Sequence, residues 1–211
     1  MAKITITRAL AELKLLKNRY GSELNRFSFI AVRKGQALRQ PNSQFTKEVF
    51  EGKATAQFQS VEAIRNRITR LKEEIDKSNL TTIVKIGGKE MTVQQAIVRK
   101  NLIYLQEEEL RVLKLQFTRA QKEKEAVEAE NKARVETIVK DQTGKSGDTK
   151  AKDLEKDALD TIEKLYEAAF VDPINIAEKI EFLEKDIEDF KTNVDYVLSE
   201  SNSTTFIEIE D

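Results

Sequence analysis

The sequence predicts a mainly α protein built from long antiparallel helices that form coiled-coil-like hairpins, with short terminal strands. Three observations support this class. Seven glycines and two prolines in 211 residues leave long stretches free of helix breakers. Apolar residues recur at steps of three and four in four segments. Charged residues make up 35% of the chain, above the usual quarter, as expected for helices with exposed polar faces.

The first two helical segments lie in the N-terminal half of the chain. Between them, residues 33–46 contain Gly35 and Pro41 and predict a polar turn or loop. The first segment repeats apolar residues at Leu13, Leu16, Tyr20, Leu24 and Phe27, and the second at Val61, Ile64, Ile68, Leu71 and Ile75.

The third helix begins near Thr92 and carries two apolar stripes, so we expect it to be buried on two sides. The last helix has a seam that alternates steps of four and three, which is typical of a coiled coil or an antiparallel hairpin. The stripes are Val98, Leu102, Leu105 and Val112, and Ile103, Leu110, Leu113 and Phe117; the seam is Ile176, Ile180, Leu183, Ile187, Phe190, Val194 and Val197.

Residues 120–140 are polar nearly all round, and such a helix must project into solvent or pair with a partner. Residues 141–153 are almost without apolar side chains and predict a mobile connection. We therefore expect a projecting arm over about residues 118–170, with residues 118–140 leading outwards and residues 152–170 returning.

A nine-residue stretch at positions 78–86 recurs at positions 201–209, each time directly after a heptad-patterned helix. Ser-Asn predicts the end of the helix, because Asn tolerates the left-handed conformation. The β-branched residues that follow predict a short strand. Four of the five positions that are identical in the two copies form the candidate structural motif: Ser78, Asn79, Thr81 and Thr82, and Ser201, Asn202, Thr204 and Thr205.

A second match lies at the helix starts, where residues 5–10 parallel residues 92–97 and Thr92 with Gln95 fits a capping box. The two matches together predict an internal duplication within one compact body. Its halves are a first helical hairpin over residues 1–91 and a second over residues 92–211.

We expect the terminal strands of the two copies to pair with each other, with the charges of Lys85 and Glu208 complementary. Gly87-Gly88 predicts a hairpin with a two-residue loop.

The composition excludes several chemistries. The chain has no Cys and no His, which rules out disulfides, thiolate catalysis and the commonest proton shuttle. Gly144-Lys145-Ser146 resembles the end of a phosphate-binding loop, but Val139 stands where that loop needs a glycine. The clustered carboxylates are better explained as solvated helix faces. We therefore expect no enzyme, and no catalytic, cofactor-binding or metal-binding residue can be nominated.

Charge is distributed unevenly along the chain. Residues 1–72 carry 15 basic and 5 acidic side chains, whereas residues 160–211 carry 4 basic and 15 acidic. A nucleic-acid patch is one interpretation, and mutual attraction of the two ends, within a chain or between subunits, is the favoured one. The aromatic residues of the basic third favour a core or an interface over base stacking; they are Tyr20, Phe27, Phe29, Phe45, Phe50 and Phe58.

Two patterns carry a family resemblance. Residues 75–82 end a heptad helix in an Asn-x-Thr turn, followed by Gly87-Gly88 and a helix start at residues 92–96. Val171-Asp172 leads into the last helix, which ends in Asn202-Ser203-Thr204-Thr205. These residues resemble the septicolysin-like family, small helical proteins of bacteria and phages. The match covers about two thirds of the chain; Ser203 replaces a frequent aromatic, and residues 141–153 look like an insertion.

The resemblance implies a long-helix, coiled-coil-like fold that self-associates, and the family name suggests a cytolysin. Our leading expectation is a non-enzymatic structural protein that forms a homo-oligomer, as a phage virion ring, collar or connector-associated component that contacts other virion proteins. The alternatives are a membrane-active or lipid-binding protein and a nucleic-acid-binding protein. The predicted interface residues are Ile64, Ile68, Leu71, Ile75, Ile180, Leu183, Ile187, Phe190 and Val194.

The sequence also bears on location. No apolar run approaches the length of a transmembrane helix, and the N-terminus lacks the apolar core of a signal peptide. We therefore expect a cytoplasmic or virion-associated protein.

Overall fold

The structure is a computed structural model that describes residues 2–143 and 166–209, with side chains for residues 3–137 and 166–209. Helices dominate these residues, which confirms the predicted mainly α class. All four helical segments read from the sequence are present. They are α1 (Ile6–Arg26), α2 (Lys47–Thr81), α3 (Val93–Thr143) and α4 (Ile176–Thr204).

Short strands flank the helices and pair two by two in the described residues. Each pair is antiparallel, and the pairs are β1 with β6, β2 with β3 and β4 with β5. The strands are β1 (Ala2–Thr5), β2 (Arg33–Lys34), β3 (Ala37–Leu38), β4 (Ile83–Ile86), β5 (Lys89–Thr92) and β6 (Phe206–Ile209).

Helices α1 and α3 start in the same way, with a threonine that ends a strand and caps the helix. The Thr5 hydroxyl accepts a hydrogen bond from the Arg8 backbone N–H at 3.3 Å. At α3 the predicted capping box is confirmed: Gln95 N–H donates to Thr92 Oγ1 at 3.1 Å, and Thr92 N–H donates to Gln95 Oε1 at 2.8 Å. Two of the amide groups that every helix start leaves unpaired are thereby satisfied.

The prediction that helices end at Ser-Asn is wrong. Helix α2 continues through Asn79 to Thr81, and α4 continues through Asn202 to Thr204. Neither asparagine has a positive φ. Threonine explains the extension, because the Thr81 hydroxyl donates to the carbonyls of Lys77 and Ser78, each at 3.2 Å. The equivalent Thr204 hydroxyl bonds the carbonyls of Glu200 and Ser201 at 3.0 and 3.3 Å.

The strand that follows each helix is present, but the predicted pairing between the two copies is wrong. Gly87 and Gly88, both with positive φ, fold β5 back onto β4 and form the predicted two-residue hairpin loop. Strand β6 pairs instead with β1, at the other end of the chain. Lys85 therefore lies opposite Glu90, and Glu208 lies opposite Lys3.

The two helix–strand corners match in detail. Ile6 N–H donates to the Thr205 carbonyl at 3.0 Å, and Val93 N–H donates to the Thr82 carbonyl at 2.9 Å. Strands β4 and β6 also share the same alternation of exposed and buried residues. The internal duplication itself stays a prediction.

A hydrophobic core joins β6 to α1 and α2. It consists of Ile6 and Ala9 from α1, Leu71 and Ile75 from α2, and Ile207 and Ile209 from β6. Helices α1 and α2 are antiparallel, because Glu23 contacts Gln57 near one end and Glu12 pairs with Arg67 farther along at 3.0 Å.

The chain divides into two compact units, Met1–Asn101 with Asp189–Asp211, and Leu102–Glu188. This division does not follow the expected boundary between residues 91 and 92, because the C-terminal strand and the end of α4 belong with the N-terminal helices. In the first unit the Arg99 guanidinium lies over the Phe190 ring, and Lys100 pairs with Asp195. In the second unit Lys114 pairs with Glu184.

The outward half of the predicted arm is helical, since α3 runs to Thr143. Of the predicted connection at residues 141–153, residues 141–143 belong to α3 instead, and residues 144–153 lie outside the described residues, as does much of the returning half. Before α4, the Asp172 carboxylate accepts hydrogen bonds from the backbone N–H groups of Ile174 and Ile176 at 3.3 and 2.7 Å. Among the described helices, none combines the length and the apolar character that crossing a bilayer requires.

Replacing Thr92 with Ala should lower the free energy of unfolding by about 1 kcal/mol, because the capping box loses its hydroxyl acceptor. Thr118→Ala, in the middle of the same helix, is the matched control and should be neutral or slightly stabilising. Urea unfolding followed by circular dichroism measures both. Equal midpoints for the two variants would contradict the capping role of Thr92.

Ile207→Thr should destabilise the protein by about 2 to 4 kcal/mol, because it removes buried methyl groups and buries a hydroxyl. Ile83 is an exposed isoleucine of β4. Ile83→Thr should therefore change stability by less than about 0.5 kcal/mol. A small effect of Ile207→Thr in the same unfolding experiment would show that β6 does not close the core.

Candidate interaction surfaces

The predicted interface residues pack inside the single chain. Seven of them are buried, and two, Ile68 and Ile180, are half-buried. A contact between subunits at the buried positions would have to open the hydrophobic core. The buried seven are Ile64, Leu71, Ile75, Leu183, Ile187, Phe190 and Val194.

The candidate structural motif residues form the two helix–strand corners. Asn79 is buried, and its counterpart Asn202 is half-buried. Thr82 and Thr205 bond back to the carbonyls of Ser78 and Ser201, both at 2.9 Å. Their observed role is to end helices and start strands.

Helix α3 leaves one apolar stripe exposed. The residues of the second predicted stripe, Ile103 to Phe117, are half-buried. In the first predicted stripe, Leu102 and Leu105 keep 45% and 54% of their surface exposed. The expectation of burial on two sides is therefore wrong for these positions. We call Leu102, Leu105 and half-buried Val112, all in the unit Leu102–Glu188, the α3 stripe.

An aromatic cluster lies where the α1–α2 hairpin turns. The Phe27 ring stacks on Phe50 with centroids 5.6 Å apart and contacts Phe29 and Phe45 at 6.2 and 6.3 Å. Phe29 meets Phe58 edge-on at 5.5 Å. The Lys53 ammonium lies over the Phe45 ring, 4.4 Å from its centroid. The predicted core-or-interface role of these aromatics agrees with their mutual packing.

The hairpin tip is defined here as residues 26–46, which comprise the last residue of α1 and the segment between α1 and α2. It contains the small β2–β3 ladder, turned by Gly35 with φ of 63°. The Arg39 N–H donates to the Val32 carbonyl at 2.8 Å and extends the ladder by one bond. Asn42 is buried, and its side-chain amide nitrogen, Nδ2, has no hydrogen-bond partner in the described part of the chain.

Exposure alternates along the start of the hairpin tip. Phe29 and Ala31 are half-buried, whereas Ile30 and Val32 have 81% and 69% of their surface exposed. The chain thus presents large apolar groups to solvent next to Arg33.

The unit Leu102–Glu188 has an open cavity of about 480 Å³ beside α3. Phe117 and Phe170 lie in its lining, with ring centroids 6.1 Å apart, and the Lys124 ammonium lies over the Phe170 ring. Of its carboxylates, that of Asp172 already accepts two backbone hydrogen bonds. No group of three or more His, Cys, Asp or Glu suited to a metal ion occurs among the described residues.

Several surface ion pairs shift pKa values. Hydrogen bonds from Arg111 lower the pKa of Glu108, and the same bonds raise the pKa of Arg111. A hydrogen bond to Glu74 raises the pKa of Lys77. All three groups are fully exposed partners of residues three positions away on the same helix. Such pairs are typical of solvated helix faces.

Comparisons with protein-family models, curated proteins and solved structures found no match to this chain. The resemblance to the septicolysin-like family stays a prediction.

Sequence reasoning missed Ile30 and Val32 as surface residues. Their apolar character favoured burial, and helical periodicity does not apply to a segment outside helices. The available signal was the alternation Phe29, Ile30, Ala31, Val32 between basic residues, which is typical of an extended segment with two different sides.

Phe50→Ala should destabilise the hairpin tip by about 3 to 5 kcal/mol, because Phe50 is the buried member of the cluster and stacks on Phe27. Phe58→Ala removes an exposed ring from the same helix and should cost much less. Limited proteolysis within residues 26–46 measures both effects. Equal cleavage rates for the two variants would contradict a packed aromatic base under the tip.

Proposed function

We propose that this chain is a non-enzymatic assembly protein whose copies associate through the α3 stripe. The observation that carries the proposal is the exposure of Leu102 and Leu105 on a long helix whose neighbouring stripe is half-buried. Apolar surface of this kind on a regular helix is typical of a helix–helix contact. The contact surface differs from the seams predicted from the sequence, because those seams fill the chain's own core.

A second copy of the chain is the partner that the stripe fits. Leu102 lies three residues before Leu105, and Val112 lies one heptad after Leu105; these steps of three and seven are the spacing of a coiled-coil seam. Two identical stripes related by a two-fold axis would cover each other and form a closed dimer contact.

The expected affinity is low. Covering the exposed half of one leucine is worth about 1 kcal/mol, so the four leucines of a two-fold contact contribute about 4 kcal/mol. This is comparable to the lower end of the entropic cost of association, about 4 to 15 kcal/mol. The contact therefore needs high local concentration or many linked copies, and both conditions hold inside a growing assembly.

A structural part of a phage particle, such as a ring, collar or connector-associated component, is the setting we propose for this assembly. The sequence resemblance to the septicolysin-like family supports this setting, since that family includes phage proteins. The abundance of exposed charged residues and the absence of His and Cys from the sequence support a non-enzymatic role.

Leu105→Glu should weaken self-association about tenfold or more, because it places charge in the centre of the contact. Sedimentation equilibrium over a concentration series up to about 1 mM, where a contact of a few kcal/mol begins to be populated, measures the self-association, starting from a monomer mass of 24.2 kDa.

The matched control is Leu115→Glu. Leu115 belongs to the same helix and is 42% exposed, but it lies ten residues from Leu105, about 80° around the helix axis. This variant should associate like the wild type. Equal weakening by both substitutions would overturn the proposal, and so would a wild-type mass that stays at the monomer value even at about 1 mM.

A further inference from the structure

We propose that the hairpin tip docks on the surface of an anionic phospholipid bilayer. In this arrangement Ile30 and Val32 enter the headgroup layer, and the cations beside them contact lipid phosphates. The inference concerns the unit Met1–Asn101 with Asp189–Asp211 and does not depend on self-association through the α3 stripe.

The apolar part of the surface consists of two exposed aliphatic side chains of the hairpin tip. Ile30 and Val32 have 81% and 69% of their surface exposed, so neither side chain is packed in a core. Phe29 and Ala31, which alternate with them along the chain, are half-buried.

The charged residues within the hairpin tip are all basic. Residues 26–46 contain Arg26, Arg33, Lys34 and Arg39 and no acidic residue. Arg33, Lys34 and Arg39 are exposed, and the β2–β3 ladder places Arg33 and Lys34 on one of its strands. Arg26 lies 3.6 Å from Glu23 in an ion pair at the end of α1. Cations around a small apolar group match the chemistry of an anionic membrane surface.

The aromatic cluster favours a bilayer over a nucleic acid. Binding of single strands uses aromatic faces on which bases stack. Here Phe27 already stacks on Phe50, and the Lys53 ammonium covers a face of Phe45. The most exposed apolar residues of the tip, Ile30 and Val32, are aliphatic, and aliphatic side chains offer bases no stacking surface.

The aromatic cluster also holds the hairpin tip in place on the two helices. Phe27 and Phe29 tie the end of α1 to Phe50 and Phe58 of α2, so the loop between the helices is held from both sides. Two preorganised aliphatic groups can enter a headgroup layer without first ordering a flexible chain.

The expected binding is reversible and strongly dependent on charge. Each cation close to an anionic membrane surface is worth about fivefold in partitioning, so two cations are worth about thirtyfold. Salt should weaken the interaction, because it screens exposed charges.

Vesicle flotation tests the proposal with the full chain and with vesicles of phosphatidylcholine mixed with phosphatidylglycerol. The wild type should float with the mixed vesicles and not with phosphatidylcholine alone. Arg33→Gln/Lys34→Gln should reduce partitioning about thirtyfold. Ile30→Asn/Val32→Asn should reduce it about tenfold or more, because the apolar groups lose their gain on insertion.

Matched controls separate the tip from overall charge and hydropathy. Lys14→Gln/Lys17→Gln removes the same two charges from exposed positions of α1, and Leu15→Asn removes an exposed aliphatic side chain from that helix. Both variants should keep wild-type partitioning. Thermal unfolding of every variant checks that the fold is retained.

Three outcomes would overturn the proposal. The first is no flotation of folded wild type with anionic vesicles. The second is equal loss of partitioning in the tip variants and the α1 controls. The third is salt-sensitive binding of a single-stranded DNA oligonucleotide that Arg33→Gln/Lys34→Gln abolishes, together with no vesicle binding, which would assign the tip to nucleic acid instead.

Discussion

The pairing of the first strand with the last one is the constraint on which the N-terminal unit depends. A two-stranded ladder alone is marginally stable in water, so β1 and β6 need the helices beneath them. Ile207 and Ile209 supply that contact by packing on Leu71 and Ile75 of α2. The same side chains cover Ile6 at the start of α1, so one ladder positions both members of the hairpin that carries the tip.

Local signals in the sequence predicted the helices, the capping box and the Gly87-Gly88 turn, because each depends on residues a few positions apart. Which strands pair with each other could not be predicted from such local signals. The residues 206–209 resemble residues 83–86, and similarity does not indicate which strand lies beside which. The helix ends were misplaced because a threonine hydroxyl at Thr81 or Thr204 extends the last turn past an asparagine that looks like a stop.

The candidate surfaces were harder to predict than the fold. Periodicity identifies an apolar face, but it does not say whether the cover comes from the same chain. The α4 seam at Leu183 and Phe190 is buried within the chain, whereas Leu102 and Leu105 of α3 are exposed. In the tip, Ile30 and Val32 fall outside any helix, so helical periodicity gives no indication of the high exposure that the structure shows for both.

Four exposed charged residues also favour one set of strand pairs over another. Lys3 faces Glu208 in one ladder, and Lys85 faces Glu90 in the other. If β1 lay beside β4 in the same register, two lysines would oppose each other, and β5 beside β6 would oppose two glutamates. Like charges directly opposite are unfavourable by a few tenths of a kcal/mol, up to about 1 kcal/mol. Electrostatic repulsion thus disfavours the pairs β1–β4 and β5–β6 and favours the observed pairs β1–β6 and β4–β5.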